Sequence, residues 1–205
     1  MKKILSFILL GATSLVASAQ ISSLDELSTD KAYTIYNPFY TTYAVYNAEK
    51  STSLVWAAGM TASDKTIADQ SYTTPFNAAD PSSSWMIVPF NEQWFVYNLG
   101  AKKFMAVGHT AANASTASAK LQDTPVAVEF TSNGNGGFHL RSYDGNQNFL
   151  CAAPQLEYPI SIWTSADNGS TWKIEENAQV QADYETCMQK LKEAFPETVA
   201  LKIDT

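Results

Sequence analysis

Trp163 and the loop Tyr143-Asp144-Gly145-Asn146-Gln147-Asn148 are the residues whose types and spacing could do chemistry in this chain. An indole offers a flat face that suits stacking against a sugar ring. A loop carrying Tyr143, Asp144, Asn146 and Asn148, with Arg141 just before it, offers a hydrogen-bonding edge for hydroxyl groups. Both features have a plainer reading. Asp144-Gly145 is an ordinary hairpin turn, and a Trp at 163 also suits the rim of a core packed against a helix. The spacing Asp144-x-Asn146-x-Asn148 opens like a calcium loop. Phe149 stands where that loop needs Gly, and Gln155 where it needs a bidentate Glu, so calcium is excluded. His109 and His139 are the only histidines, and neither has a nucleophile or acid beside it in a recognisable arrangement. Cys151 has no local base, and nothing selects two of the many carboxylates as a glycosidase pair. No phosphate-cradling Gly loop and no metal cluster is present, so no cofactor and no metal are expected.

Those residues must be positioned by strands. Trp94-Phe95-Val96-Tyr97-Asn98 has the period-2 pattern of a half-buried strand; after the Leu99-Gly100 turn comes a second, Phe104-Met105-Ala106-Val107. The unit recurs. Upstream, Tyr33-Thr34-Ile35-Tyr36-Asn37 precedes Tyr43-Ala44-Val45-Tyr46. Downstream, Phe138-His139-Leu140-Arg141-Ser142 precedes Phe149-Leu150-Cys151-Ala152. Each copy ends its first strand on Asn or Ser. Tyr33, Trp94 and Phe138 are expected in equivalent inward positions, with Thr34 and Phe95 facing solvent. Ser84–Val88, Val126–Phe130 and Trp172–Ile174 read as the strands that close the three repeats, and Asn133–Gly137 as a tight turn. Leu54–Trp56 reads as a short strand within an otherwise irregular 48–81, and Ala111–Ala119 as an exposed loop. The aromatic run Tyr36, Phe39, Tyr40, Tyr43, Tyr46 holds two residues at a turn, Phe39 and Tyr40, that form either an exposed patch or a lid on a barrel.

Three hairpin repeats over 31–176 imply an all-β chain, a β-trefoil with a C-terminal amphipathic helix. The third repeat resembles the ricin-type lectins, through Asn148-Phe149-Leu150-Cys151, Pro159-Ile160-Ser161-Ile162-Trp163 and Asn168-Gly169-Ser170-Thr171-Trp172. The string Tyr97-Asn98-Leu99-Gly100-Ala101-Lys102-Lys103-Phe104 is also similar to trefoil-like modules of secreted Bacteroidetes proteins. The lectin resemblance implies a sugar held by an Asp, a Gln, an aromatic and an Asn. Here those positions carry Cys151, Ser161, Trp163 and Gly169, so only the aromatic is retained, and the Gln of the family's Gln-x-Trp strand is Ser170 in the third repeat and Ser83 in the first.

The ends read differently. Met1-Lys2-Lys3, an apolar Ile4–Val16 and Ala17-Ser18-Ala19 form a secretory signal over 1–19, so a secreted or periplasmic, bacterial chain is expected. Residues 20–30 form a lead-in, with one helical turn capped by Ser23. In the segment 177–205, Val180, Tyr184, Cys187, Met188, Leu191 and Phe195 form one face of a helix ended by Pro196. That stripe either packs on the trefoil or meets a protein partner or a further domain. Docking would leave Cys151 and Cys187 either as a disulfide or as two free thiols. The chain carries a net charge of −7, and nearer about −9 without Lys2 and Lys3, which disfavours nucleic acid and anionic lipid. No later segment is long and apolar enough to span a membrane. Two functions remain: a non-catalytic carbohydrate-binding module whose ligand is a glycan or polysaccharide, or a protein-interaction or spacer module.

Overall fold

Alternating apolar residues become strands here wherever a partner strand takes up their backbone groups, and among the described residues fifteen ranges are strands. The computed structural model describes residues 19–59, 66–67, 70–71, 74–108, 118–152 and 159–196; all but the last residue of the expected secretory signal, His109 and most of Ala111–Ala119 lie outside the described residues. The strands are β1 (Gln20–Ile21), β2 (Tyr33–Asn37), β3 (Thr42–Asn47), β4 (Ser51–Gly59), the small pair β5 (Thr66–Ile67) and β6 (Gln70–Ser71), β7 (Trp85–Phe90), β8 (Gln93–Asn98), β9 (Lys103–Ala106), β10 (Lys120–Gln122), β11 (Glu129–Ser132), β12 (Phe138–Arg141), β13 (Phe149–Cys151), β14 (Ser161–Trp163) and β15 (Lys173–Glu176). Among the described residues one α-helix, α1, spans Tyr184–Ala194.

Six of the strands close a ring. β2 pairs with β15 along four residues and touches β7 at Tyr33 and Trp85; β7 runs antiparallel to β8, and β11 to β12. The remaining seams are a 2.8 Å bond from Val128 N to Trp94 O, and the Phe138–Trp172 bridge between β12 and β15. Three hairpins, β3–β4, β9–β10 and β13–β14, cap one end. They meet in a cycle of backbone hydrogen bonds: Val55 N to Ala119 O (2.9 Å), Ala119 N to Ile160 O (2.8 Å), Ile160 N to Val55 O (2.8 Å). Four strands per repeat around a pseudo-threefold axis make a β-trefoil. Inside sit Tyr33, Ile35, Val96, Met105, Phe138 and Leu140. Trp85 and Trp172 donate their indole N–H to Ala44 O and Leu150 O, each at 2.8 Å, so two large rings are buried without an orphaned donor. The equivalent place in the second repeat holds the smaller Val128.

The recurring Asn has a job. Asn37 Oδ1 accepts from Tyr40 N and Asn98 Oδ1 from Ala101 N, both at 2.8 Å, which shapes the turn after the first strand of each repeat. The amide nitrogens reach into the preceding repeat in the cycle. Asn37 Nδ2 donates to Asn168 O, Gly169 O and Thr171 O, and Asn98 Nδ2 to Ser82 O and Ser84 O. In the third repeat Ser142 takes the Asn place and accepts from Val107 N through Oγ. Gly100 belongs to the same contact, because a Cβ there would strike the Ser82 backbone.

Three expectations change. The strand expected at Leu54–Trp56 is longer than that and runs over Ser51–Gly59. Ser51–Gly59 pairs with almost the whole of β3, and neighbouring hydrogen bonds hold its polar start in place despite weak strand propensity. The lead-in contributes β1, which adds to β15, and then the expected turn at Leu24–Glu26 with a Ser23–Glu26 capping box. The third change concerns β8. Trp94 keeps the place equivalent to Tyr33 and Phe138, but it is only partly buried. Phe95 does not face solvent; with Tyr97, Met86, Val88 and Phe104 it forms a second cluster on the outer side of the barrel.

Helix α1 covers that outer cluster. Asp183 caps it through Thr186 N, which is why the helix begins at Tyr184 and not at Val180. Cys187 and Leu191 are fully buried, Phe195 lies 5.7 Å from the Phe95 ring, and Tyr184 is turned outward with 40% of its surface exposed. Asn177 fixes the approach, donating to Ala78 O and Ser84 Oγ. The stripe therefore docks on the second repeat. Cys151 and Cys187 are free thiols, one beside Asp167 and the other under the helix, so the disulfide alternative is removed while the docked helix stands. Burial pushes the thiols up to about 11 and about 12 respectively, so neither is an active thiolate near neutral pH.

Two measurements check this packing. Tyr33→Ala and Phe138→Ala should each lower unfolding free energy by about 3–5 kcal/mol, and Trp94→Ala by clearly less, in urea denaturation. A thiol reagent should leave both cysteines unmodified in the folded protein and modify both after denaturation.

Candidate functional site

The antiparallel register of β13 and β14 sets Phe149 opposite Trp163, so the two rings emerge from neighbouring positions on one surface. Trp163 is 44% exposed, the most solvent-accessible Trp among the described residues. On β12, Phe138 and Leu140 go inward, so His139 and Arg141 go out. Arg141 lies over the Phe149 ring at 5.2 Å, and His139 meets the same ring edge-on at 5.9 Å. The guanidinium is itself paired, Nε to Glu129 Oε2 at 2.8 Å and Nη2 to Asp144 Oδ1 at 3.4 Å. Burial pulls the His139 pKa below its ordinary value, so the imidazole is neutral at physiological pH, with Nε2 at 3.4 Å from Thr171 Oγ1.

The loop between β12 and β13 divides the other site residues. Asp144 and Asn146 are exposed and Tyr143 is half-buried. Asn148 is fully buried. Its Nδ2 donates to Asp144 O at 2.7 Å and to Tyr143 O at 3.4 Å, so it holds the loop from behind and presents nothing to a ligand. Gly145, at φ +148, lies directly against that amide; any Cβ would come within 2.6 Å of Nδ2. Cross-strand register sets Trp163 beside Phe149, and contacts link Phe149, Arg141 and Asp144, so the four form one patch to which Tyr143 and Asn146 are attached by the loop. Phe149, His139 and the platform role of Arg141 were missed in the sequence. The signal was present as the outward alternation of β12.

The positions that hold a sugar in ricin-type lectins serve other ends here. Cys151 is buried, Ser161 Oγ donates to Cys151 O at 3.1 Å, and the Gly169 carbonyl accepts from Ala152 N at 2.9 Å and from Asn37. A polar, partly aromatic surface remains, able to stack one ring face and offer hydrogen bonds from the loop. At the first repeat's turn, Phe39 is 57% exposed with Tyr40 edge-on at 4.8 Å, and Tyr40 packs against the core. The patch and the lid are thus divided between the two residues. Among the described residues, no group of three or more His, Cys, Asp or Glu could hold a metal ion.

No protein-family model and no curated protein matches the chain. Solved structures do. A ricin B-like lectin of Macrolepiota procera, in complex with lactose, has a TM-score of 0.55 at 14% identity, covering 73% of this chain and 97% of that one. The Rhizoctonia solani agglutinin has a TM-score of 0.51 at 15% identity, covering 72% of this chain and 95% of that one. A GlcNAcα1-4Gal-releasing endo-β-galactosidase of Clostridium perfringens has a TM-score of 0.51 at 9% identity over 71% of this chain and 32% of that one. At such identities the likeness is one of fold: what the chain shares with these structures is its β-trefoil architecture.

If Asn148 supports the loop, Asn148→Ala should destabilise the protein by about 1–3 kcal/mol in urea denaturation. It should also speed amide hydrogen exchange at Asp144–Asn146 more than elsewhere.

Proposed function

We propose that this chain is a secreted, non-catalytic carbohydrate-binding module that recognises a glycan weakly, by stacking on Trp163. Tyr143, Asp144 and Asn146 supply hydrogen bonds at the edge of that platform, and Asn148 positions them. The single observation that carries the reading is the exposed indole on β14, held beside Phe149 on a lectin-like fold. Arg141 is already engaged by Glu129 and Asp144, and the chain is acidic, so the reading favours neutral sugars over anionic ones. The secreted placement rests on the N-terminal sequence. Among the described residues no helix is long and apolar enough to cross a membrane.

A second reading, as a protein-interaction or spacer module, is favoured by Cys151, Ser161 and Gly169, which replace the polar groups of a lectin pocket. The apolar stripe of α1 is turned inward, so a partner at this helix would have to use the outward face around Tyr184.

A glycan array separates the two. The carbohydrate reading expects binding to at least one neutral polysaccharide, and a loss of about 1–3 kcal/mol on Trp163→Ala. No binding to any neutral glycan, or binding unaffected by Trp163→Ala in a folded variant, leaves the interaction module.

A further inference from the structure

The outer face where β2 pairs with β15 holds a recess that the glycan reading does not use. It encloses about 120 Å³ and is lined by Thr34, Tyr43, Phe76, Ala78, Glu175 and Gln179, among others. Its form follows from register. Thr34 and Glu175 are direct cross-strand partners, so their side chains leave the sheet on the same side and make the floor. Tyr36 and Tyr43 are partners on β2 and β3 with ring centroids 4.7 Å apart, and Phe76 stacks on Tyr43 at 3.6 Å. The wall is therefore three aromatic rings deep.

Glu175 is the unusual group. Its neighbour Glu176 is paired with Lys31 at 2.7 Å, but the Glu175 carboxylate has no hydrogen bond or ion pair among the described residues. The cation that acts on it is Lys173, two residues along the strand and beyond ion-pair distance. Burial raises the Glu175 pKa, and after burial its charge is the next influence raising both the Tyr36 and Tyr43 phenols, which sets the carboxylate beside the rings. A half-buried carboxylate without a partner is costly. An added cation would meet it beside the aromatic stack, in which Tyr43 is covered by Tyr36 and Phe76 and the outer ring, Phe76, is the one left to offer a face. The recess is roomy enough for a small head group.

We propose that this recess binds an organic ammonium group, with Glu175 as its counter-ion and Tyr43 and Phe76 as its aromatic wall. The same chemistry could arrive as a lysine ε-ammonium on a peptide or as a methylated ammonium on a small molecule. NMR titration of the full chain tests it, with Nα-acetyl-lysine amide and tetramethylammonium chloride as the two cation arms. Nα,Nε-diacetyl-lysine amide and neopentyl alcohol are the neutral counterparts, and sodium chloride is the salt control. The expected result is saturable shifts centred on Thr34, Ala78 and Gln179 with at least one cation and with neither neutral compound; the responding arm identifies the source. Glu175→Gln should weaken that binding at least about tenfold, Phe76→Ala should weaken it too, and Trp163→Ala should leave it unchanged. The proposal is overturned if neither cation gives saturable shifts at the recess, if the neutral compounds shift it equally, or if folded Glu175→Gln binds as the parent does. Should Glu175→Gln not fold, Phe76→Ala and the cation-to-neutral comparison on the parent chain decide the matter.

Discussion

Three backbone hydrogen bonds at the capped end, Val55 to Ala119 to Ile160 and back to Val55, are the constraint on which the rest depends. Each repeat donates once and accepts once, so no repeat can close the cap alone. The cycle brings together one residue from each hairpin and thereby fixes how far each hairpin can tilt over the barrel. Because a buried amide without a partner is costly, the three hairpins are driven to the same height on the axis. The recurring Asn then works at the sides of the barrel, joining each turn to carbonyls of the preceding repeat. Together the cycle and these side bonds explain why Trp85 and Trp172 find a carbonyl at the same 2.8 Å in two different repeats.

Symmetry holds for the backbone and fails for the surfaces. The second repeat turns Phe95, Tyr97 and Phe104 outward, where a free-standing trefoil would place polar side chains, and α1 covers them. The helix is thus part of the domain's packing. The third repeat is left open, with His139, Arg141, Phe149 and Trp163 at the surface. The first has its own covering in Phe76, stacked on Tyr43. Three equivalent scaffolds therefore present three different faces, and the candidate glycan surface sits on the one that has no apolar cover among the described residues.

Much of this was legible in the sequence, for reasons particular to each element. The hairpins could be read because Asn37 and Asn98 end their strands with a side chain that makes the turn. Trp163 could be read because it stands in a strand whose alternation points it away from Ile162. Only Leu54–Trp56 of the strand Ser51–Gly59 could be read, because the flanking Ser, Thr and Ala have little preference for the pleat, and pairing with β3 decides its full length. The double burial of β8 was hidden because Trp94-Phe95-Val96-Tyr97 is apolar on both sides, and period-2 reasoning assumes one wet face. Asn148 was misplaced because a polar loop residue can face a ligand or its own backbone, and only the carbonyls of Tyr143 and Asp144 show which.

The side bond made by Asn37 has a consequence in time. Its amide reaches carbonyls 131 to 134 positions later in the chain, and β2 as a whole depends on β15 for one of its edges. The first repeat therefore cannot complete itself until its neighbour β15, the last of the described strands, has emerged. Contacts of such long sequence separation carry a large loop-closure entropy and slow the approach to the native state. The domain stays open until β15 is available, with its first hairpin held only by local contacts. The same latch that delays folding then joins the beginning of the domain to its end.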